Sequence, residues 1–214
     1  METAAHIFGA VADAGCTCLA RVPANRHDHI KRVLDNGAHG VVVPMVMNRQ
    51  EAEDAVAAML YPPKGNRSVG GNVHALNFEA TAAEYYARAD EEILIVLQCE
   101  HIKAVENFEA IYSVAGVDAV FVGPNDLAAS MRSADGKPPS GKATKEALDH
   151  VLQSCQKMGI APGIHAMNPE EARLRLEEGW RFVAVQSELR FMMEAATQAL
   201  KTIGWNTTRE IAKY

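Results

Sequence analysis

Short apolar runs alternate with helical patterns along almost the whole chain, and this alternation limits the fold more than any other feature. Residues 2 to 14 read as a helix ending at Gly15, and "CTCLARV" (16 to 22) reads as a strand. "NRHDHIKRVLDNG" predicts a helix with Asn25 as N-cap and Gly37 just past its end. "GVVVPMV" (40 to 46) is a strand, and Asn48 with Glu51 resembles a capping box opening EAEDAVAAML. The stretch from 61 to 77, rich in Gly, Pro and Asn, reads as a long loop, with a helix over 78 to 89 after it. "EILIVLQ" (92 to 98) is a strand, and Ile102, Val105, Phe108 and Ile111 mark one helix face. "DAVFV" (118 to 122) is a strand and 133 to 142 a loop. A helix over 144 to 158, strand 160 to 166, helix 169 to 178, strand 181 to 185 and helix 188 to 202 follow. Residues 205 to 214 read as a loose tail.

Continuous apolar strands separated by helices predict a parallel sheet covered on its outer face, in one domain over 1 to 214. Gly37, Gly116 and Gly179 each close a helix before a strand, the echo of a repeated unit. Six strands can be counted, whereas a closed barrel of this type needs eight. The fold class expected is therefore α/β, a TIM (β/α)8-type barrel that is incomplete.

Composition excludes some functions. A net charge of −6 gives no electrostatic case for nucleic acid. No apolar run reaches membrane-spanning length, and the first residues lack the pattern of a signal peptide. The four cysteines make no CxxC pair and read as reduced, mostly buried thiols of a cytoplasmic protein.

In parallel α/β folds, functional groups gather where strands end. Here those ends carry Arg21; Pro44 and Met45; Gln98 and Glu100; Gly123 to Asp126; His165; and Gln186 to Glu188. Glu100 and Asp126 follow consecutive strands. Two neighbouring carboxylates suit a hard divalent cation, with water and substrate oxygens completing its shell. After Glu100, "VFVGPNDL" (120 to 127) stops at Gly123, Pro124 and Asn125. Glycine permits close approach to the backbone, and a helix start offers free N–H groups to a carboxylate. Arg21 suits a carboxylate or an enolate oxygen. Gln98 shares the face of Glu100, because strand side chains alternate. His165 is a further candidate. No lysine stands at a strand end, which disfavours a Schiff-base aldolase. "GKPPSGKA" (136 to 143) falls short of a phosphate-binding loop, since Ala143 replaces the Ser or Thr.

Four stretches carry a family resemblance. They are "RVPANRHDHIKRVLDNGAHGVVVPMV", "YPPKGNRSVGG", "LIVLQCEHIKAVENFEAIYSVAGVDAVFVGPNDLAASM" and "GWRFVAV". Together they resemble the metal-dependent (class II) 2-oxo-acid aldolases of the 4-hydroxy-2-oxoheptanedioate aldolase type, a family with citrate lyase-like and 2-dehydro-3-deoxyglucarate aldolase members. The resemblance implies a cytoplasmic lyase that reversibly cleaves a 4-hydroxy-2-oxo acid to pyruvate, or a related 2-oxo acid, and an aldehyde. It implies a Mg²⁺, Mn²⁺ or Co²⁺ cofactor held by Glu100 and Asp126, with Arg21 on the bound pyruvate. Gln98, Gly123, Pro124 and Asn125 match substrate-contacting positions, and Asp35 matches an acidic position near the substrate entrance. It also implies a homo-oligomer, trimer or hexamer, with the C-terminal helix swapped between subunits. Two departures stand out. The family has an N-terminal segment supplying the first two strands and a proton-transfer Asp and His, and "VQSE" (185 to 188) stands where it usually has a Gly and an Asp. The competing expectation is an inactive truncated remnant, or a 2-oxo-acid-binding subunit of the same fold.

Overall fold

The computed structural model describes residues 2–205. Strands β1 (Leu19–Arg21), β2 (Gly40–Val43), β3 (Leu94–Cys99), β4 (Ala119–Val122), β5 (Ala161–Ala166) and β6 (Phe182–Val185) form one parallel sheet. Their order in the sheet is their order in the chain. Each crossover advances one strand in the same direction and has the same hand, so the helices fall on one face. This is barrel winding, and six strands make an open half-barrel.

The two faces bury different things. Between sheet and helices lies the main core, which includes Val41, Val43, Ile95, Leu97, Val120, Val122 and Ile164. The inner face carries a smaller apolar floor of Val42, Val96 and Ala119, with Leu94, Phe121, Ala161 and Phe182 against it. The Phe121 and Phe182 rings meet at 5.2 Å over Gly163, where a Cβ would lie 2.9 Å from one ring and 3.0 Å from the other.

The helices are α1 (Glu2–Asp13), α2 (His27–Asp35), α3 (Arg49–Met59), α4 (Ala82–Glu92), α5 (Ile102–Glu106), α6 (Phe108–Tyr112), α7 (Pro124–Ser130), α8 (Gly141–Met158), α9 (Pro169–Glu178) and α10 (Glu188–Thr202). Most expected elements are present, with instructive differences. The first strand is shorter than 16 to 22, because Cys18 gives its N–H to Nδ1 of His39 instead of to a strand. Asn25 does not cap α2. Arg26 occupies that position, and the Asn25 amide donates to the Glu51 carbonyl at 2.8 Å. Asn48 caps α3 as expected, but Glu51 reaches back to the N–H of Met47, one residue earlier than a capping box requires. The full box is at Thr81 and Glu84, so the fourth helix starts at Ala82, and a 3-10 turn (Val73–Phe78) fills the end of the loop. The helix expected after β3 breaks at Asn107, whose amide donates to the Met47 carbonyl. Of the expected loose tail, all but Trp205 lies outside the described residues. Cys16 is exposed and the other three cysteines are buried and free. Among the described residues no helix is long and apolar enough to cross a membrane.

Candidate active site

The register of the sheet places the polar residues in rows. Arg21 pairs with Val42, and Val42 with Val96, so Arg21 faces inward in the same row as the apolar floor. Gln98 pairs with Phe121, Phe121 with Gly163, and Gly163 with Phe182, making the next inward row. Two residues further on, by the period of two, come Glu100, Gly123 and His165. The inner face at the C-terminal end of the sheet thus gathers residues far apart in sequence. Just past β6, at Gln186, the chain turns with φ of 52°. Gln186 lies in the VQSE stretch, and a positive φ is uncommon for a residue with a Cβ.

A chain of hydrogen bonds crosses this face. Arg21 Nε donates to Gln98 Oε1 at 3.3 Å, and Gln98 Nε2 donates to Glu100 Oε2 at 3.1 Å. The other carboxylate oxygen, Oε1, accepts the backbone N–H of Met45 at 2.9 Å. Glu100 is only 2% exposed and Gln98 7%. Glu100 therefore does not cap the helix after it; His101 does, with Nδ1 accepting from the N–H of Lys103. Burial pushes the Glu100 carboxyl above its ordinary value, and the Asp126 charge adds to that push. The Met45 N–H and the Arg21 charge pull the other way without cancelling it. Asp126 stands exposed in the first turn of α7. Ser130 at the end of that helix accepts the N–H of Ile102 and donates to the Leu127 carbonyl, which ties α7 to the start of α5 beside Glu100.

The donor set fits a hard divalent cation. Each Glu100 oxygen accepts one hydrogen bond and keeps lone-pair capacity, and the Asp126 carboxylate adds a second negative charge to its surroundings. No cluster of three or more His, Cys, Asp or Glu suited to a metal occurs among the described residues. Two carboxylates with water and substrate oxygens is the pattern typical of Mg²⁺ rather than of a closed structural site. Gly123 makes the room. A Cβ there would lie 2.8 Å from Glu100 Oε2 and 3.2 Å from Glu100 Cβ. Its φ of −95° is open to any residue, so what glycine supplies here is room for the Glu100 carboxylate. Gly123→Ala is expected to displace the Glu100 carboxylate and weaken Mn²⁺ binding about tenfold, the usual cost of disturbing a ligand's support. Titration by electron paramagnetic resonance checks it.

Asp35 is not brought to this ring. It ends α2, which runs back from the C-terminal end of β1, so it stands at the opposite end of the sheet. There its carboxylate accepts from Arg67 and pairs with Lys31. The Met45 amide is the contact that side-chain patterns miss, because a backbone donor leaves no mark in a sequence.

Comparison with known proteins agrees with this architecture. Residues 1–195 match the family described as HpcH/HpaI aldolase/citrate lyase. A 5-keto-4-deoxy-D-glucarate aldolase of Escherichia coli (strain SE11) is 39% identical over 182 residues, covering 85% of this chain and 70% of that enzyme. An HpcH/HpaI aldolase/citrate lyase family protein from Burkholderia cenocepacia J2315 superposes with a TM-score of 0.84 at 30% identity, covering 94% of this chain and 79% of the other. The HpcH/HpaI aldolase from Desulfitobacterium hafniense DCB-2 gives 0.81 at 28% identity, covering 95% and 80%. The inward polar ring thus sits on six strands of a TIM-type barrel, and the chain belongs to the HpcH/HpaI aldolase/citrate lyase family.

Proposed function

We propose that this chain is a divalent-metal-dependent aldolase that reversibly cleaves a 4-hydroxy-2-oxo acid to pyruvate, or a related 2-oxo acid, and an aldehyde. The observation that carries the reading is the hydrogen-bonded line from Arg21 through Gln98 to the buried Glu100 on the inner face. Glu100 and Asp126 hold the cation. When bound, a Mg²⁺, Mn²⁺ or Co²⁺ ion polarises the 2-oxo group and acidifies the adjacent C3–H. Arg21 supplies a permanent positive charge where enolate charge develops, and Gln98 fixes the direction of its guanidinium. Gly123, Pro124 and Asn125 leave the backbone at the start of α7 open to the substrate carboxylate. His165 stands on the same inner face.

The reading extends to assembly as a homo-oligomer, trimer or hexamer, with α10 exchanged between subunits. None of the residues of α10 is buried, and Leu189, Phe191 and Met192 are 53%, 48% and 62% exposed. A helix with so much apolar surface needs a partner. Multi-angle light scattering is expected to give a mass of three or six chains; a monomer would remove this part of the proposal.

The direct test is deuterium exchange at C3 of pyruvate, followed by NMR with Mg²⁺ or Mn²⁺, with chelator, and with Glu100→Gln. Chelator-sensitive exchange that Glu100→Gln abolishes supports enolisation at this site. Folded protein that binds pyruvate and metal without exchange would replace the aldolase by a 2-oxo-acid-binding subunit.

A further inference from the structure

Among the described residues three non-glycine residues have left-handed φ, and one of them, Met45 at 56°, touches the proposed metal ligand. Such a conformation is unfavourable for a residue with a Cβ and persists only where the surroundings enforce it. Packing of the side chain does not enforce it here, since Met45 is 44% exposed. What the turn achieves is on the backbone. The second strand ends at Val43, Pro44 follows, and the left-handed residue then swings the chain out of the sheet. Val46 drops into the core with no exposed surface, and Met47 gives its N–H to Glu51 at the start of α3. The N–H of Met45, freed from the strand ladder, crosses to Oε1 of Glu100 at 2.9 Å. Gln98 holds Oε2 of the same carboxylate. One oxygen is thus fixed by the main chain just after β2 and the other by a side chain of β3. The carboxylate has one orientation relative to the inner face.

We infer that Met45 is a positioning residue for the metal site: its left-handed turn and backbone N–H lock Glu100 in the ligating orientation. The inference rests on the reading of Glu100 as a metal ligand. It makes the conformation of residue 45, not its side chain, the feature that matters.

The test measures Mn²⁺ affinity of the full chain by electron paramagnetic resonance, with the melting temperature of the metal-free protein recorded for every variant. Replacing Met45 by its α-hydroxy acid turns the amide into an ester and deletes only the donor. This variant is expected to bind Mn²⁺ about tenfold or more weakly, the range found when partners of a ligand are removed. Met45→Val, β-branched and poorly suited to a left-handed turn, is expected to lose affinity similarly. Met45→Gly keeps both turn and N–H, and is expected to retain affinity although it deletes the whole side chain. An ester variant that binds Mn²⁺ as tightly as the parent, while Glu100→Gln loses binding, overturns the role of Met45 and leaves the metal site standing. Glu100→Gln with undiminished Mn²⁺ affinity, or a parent that binds none, overturns the metal reading and the positioning role with it. If Met45→Val does not fold, the ester variant still decides.

Discussion

On the proposed function, Glu100→Gln is expected to lower metal-dependent C3 exchange about a thousandfold, a loss of roughly 4 kcal/mol of transition-state stabilisation. The substitution keeps the shape of the side chain and removes the charge that the cation needs. Its NH2 must also face one of two donors, the Met45 N–H or Gln98 Nε2, so one of the two hydrogen bonds that hold the side chain is lost. Stability offers a second readout. Burial raises the folded pKa of Glu100 above the ordinary 4.5. A carboxyl raised in this way contributes stability that is fully present below its unfolded pKa. That contribution is lost as pH rises through the folded value, because the folded state must then hold a desolvated charge. In metal-free protein, the stability of Glu100→Gln relative to the parent is therefore expected to increase with pH above about 4.5, then level off beyond the folded pKa. Constant effects of the substitution cancel from this slope. Mn²⁺ at a hundred times Kd is expected to stabilise the parent by about 2.7 kcal/mol and to leave the variant unchanged. Urea titrations across pH, with and without metal, check both parts. A flat difference curve would mean that Glu100 does not carry its charge at a cost.

The site could be read from sequence to the extent that it follows the period of a strand. Gln98 and Glu100 share a face because they are two apart, and Gly123 and Asp126 follow the next strand. The polar ring was therefore legible as a set of strand ends, as were the six strands that carry it. What was not legible depends on long-range pairing. Parity placed Gln98 on the correct face but could not show that it bridges Arg21 and Glu100, residues on two different strands. Asn25 has good N-cap chemistry, yet tertiary structure spends its amide on the Glu51 carbonyl of the next helix. The helix after the third strand has a continuous apolar face, and its break falls at Asn107, whose amide donates to the Met47 carbonyl 60 residues away. Asp35 matched a family position by its neighbours in sequence, but its partner lies 32 residues away in a loop that carries no periodicity.

That partner makes Asp35 the source of the largest expected change in stability. Arg67 has no exposed surface. Its Nη2 and Nε both point at Asp35 Oδ1, at 2.9 and 3.3 Å, its Nη1 donates to the Tyr85 hydroxyl at 3.0 Å, and its guanidinium lies 4.6 Å from the centre of the Tyr61 ring. The cluster pins the loop after α3 to the end of α2. Asp35→Ala leaves a buried guanidinium with no carboxylate, an uncompensated charge that costs about 3–5 kcal/mol. For a chain of this size that lowers Tm by about 10 °C. Arg67→Met is expected to cost less, because the orphaned Asp35 is 20% exposed and keeps Lys31. The double variant is expected to be more stable than Asp35→Ala alone, since it removes the stranded charge rather than adding a second defect. Mn²⁺ affinity of folded Asp35→Ala should stay close to that of the parent, because Glu100 lies at the other end of the sheet. A variant that melts normally but loses Mn²⁺ would show instead that Asp35 reaches a metal site, which within this chain its partners do not allow.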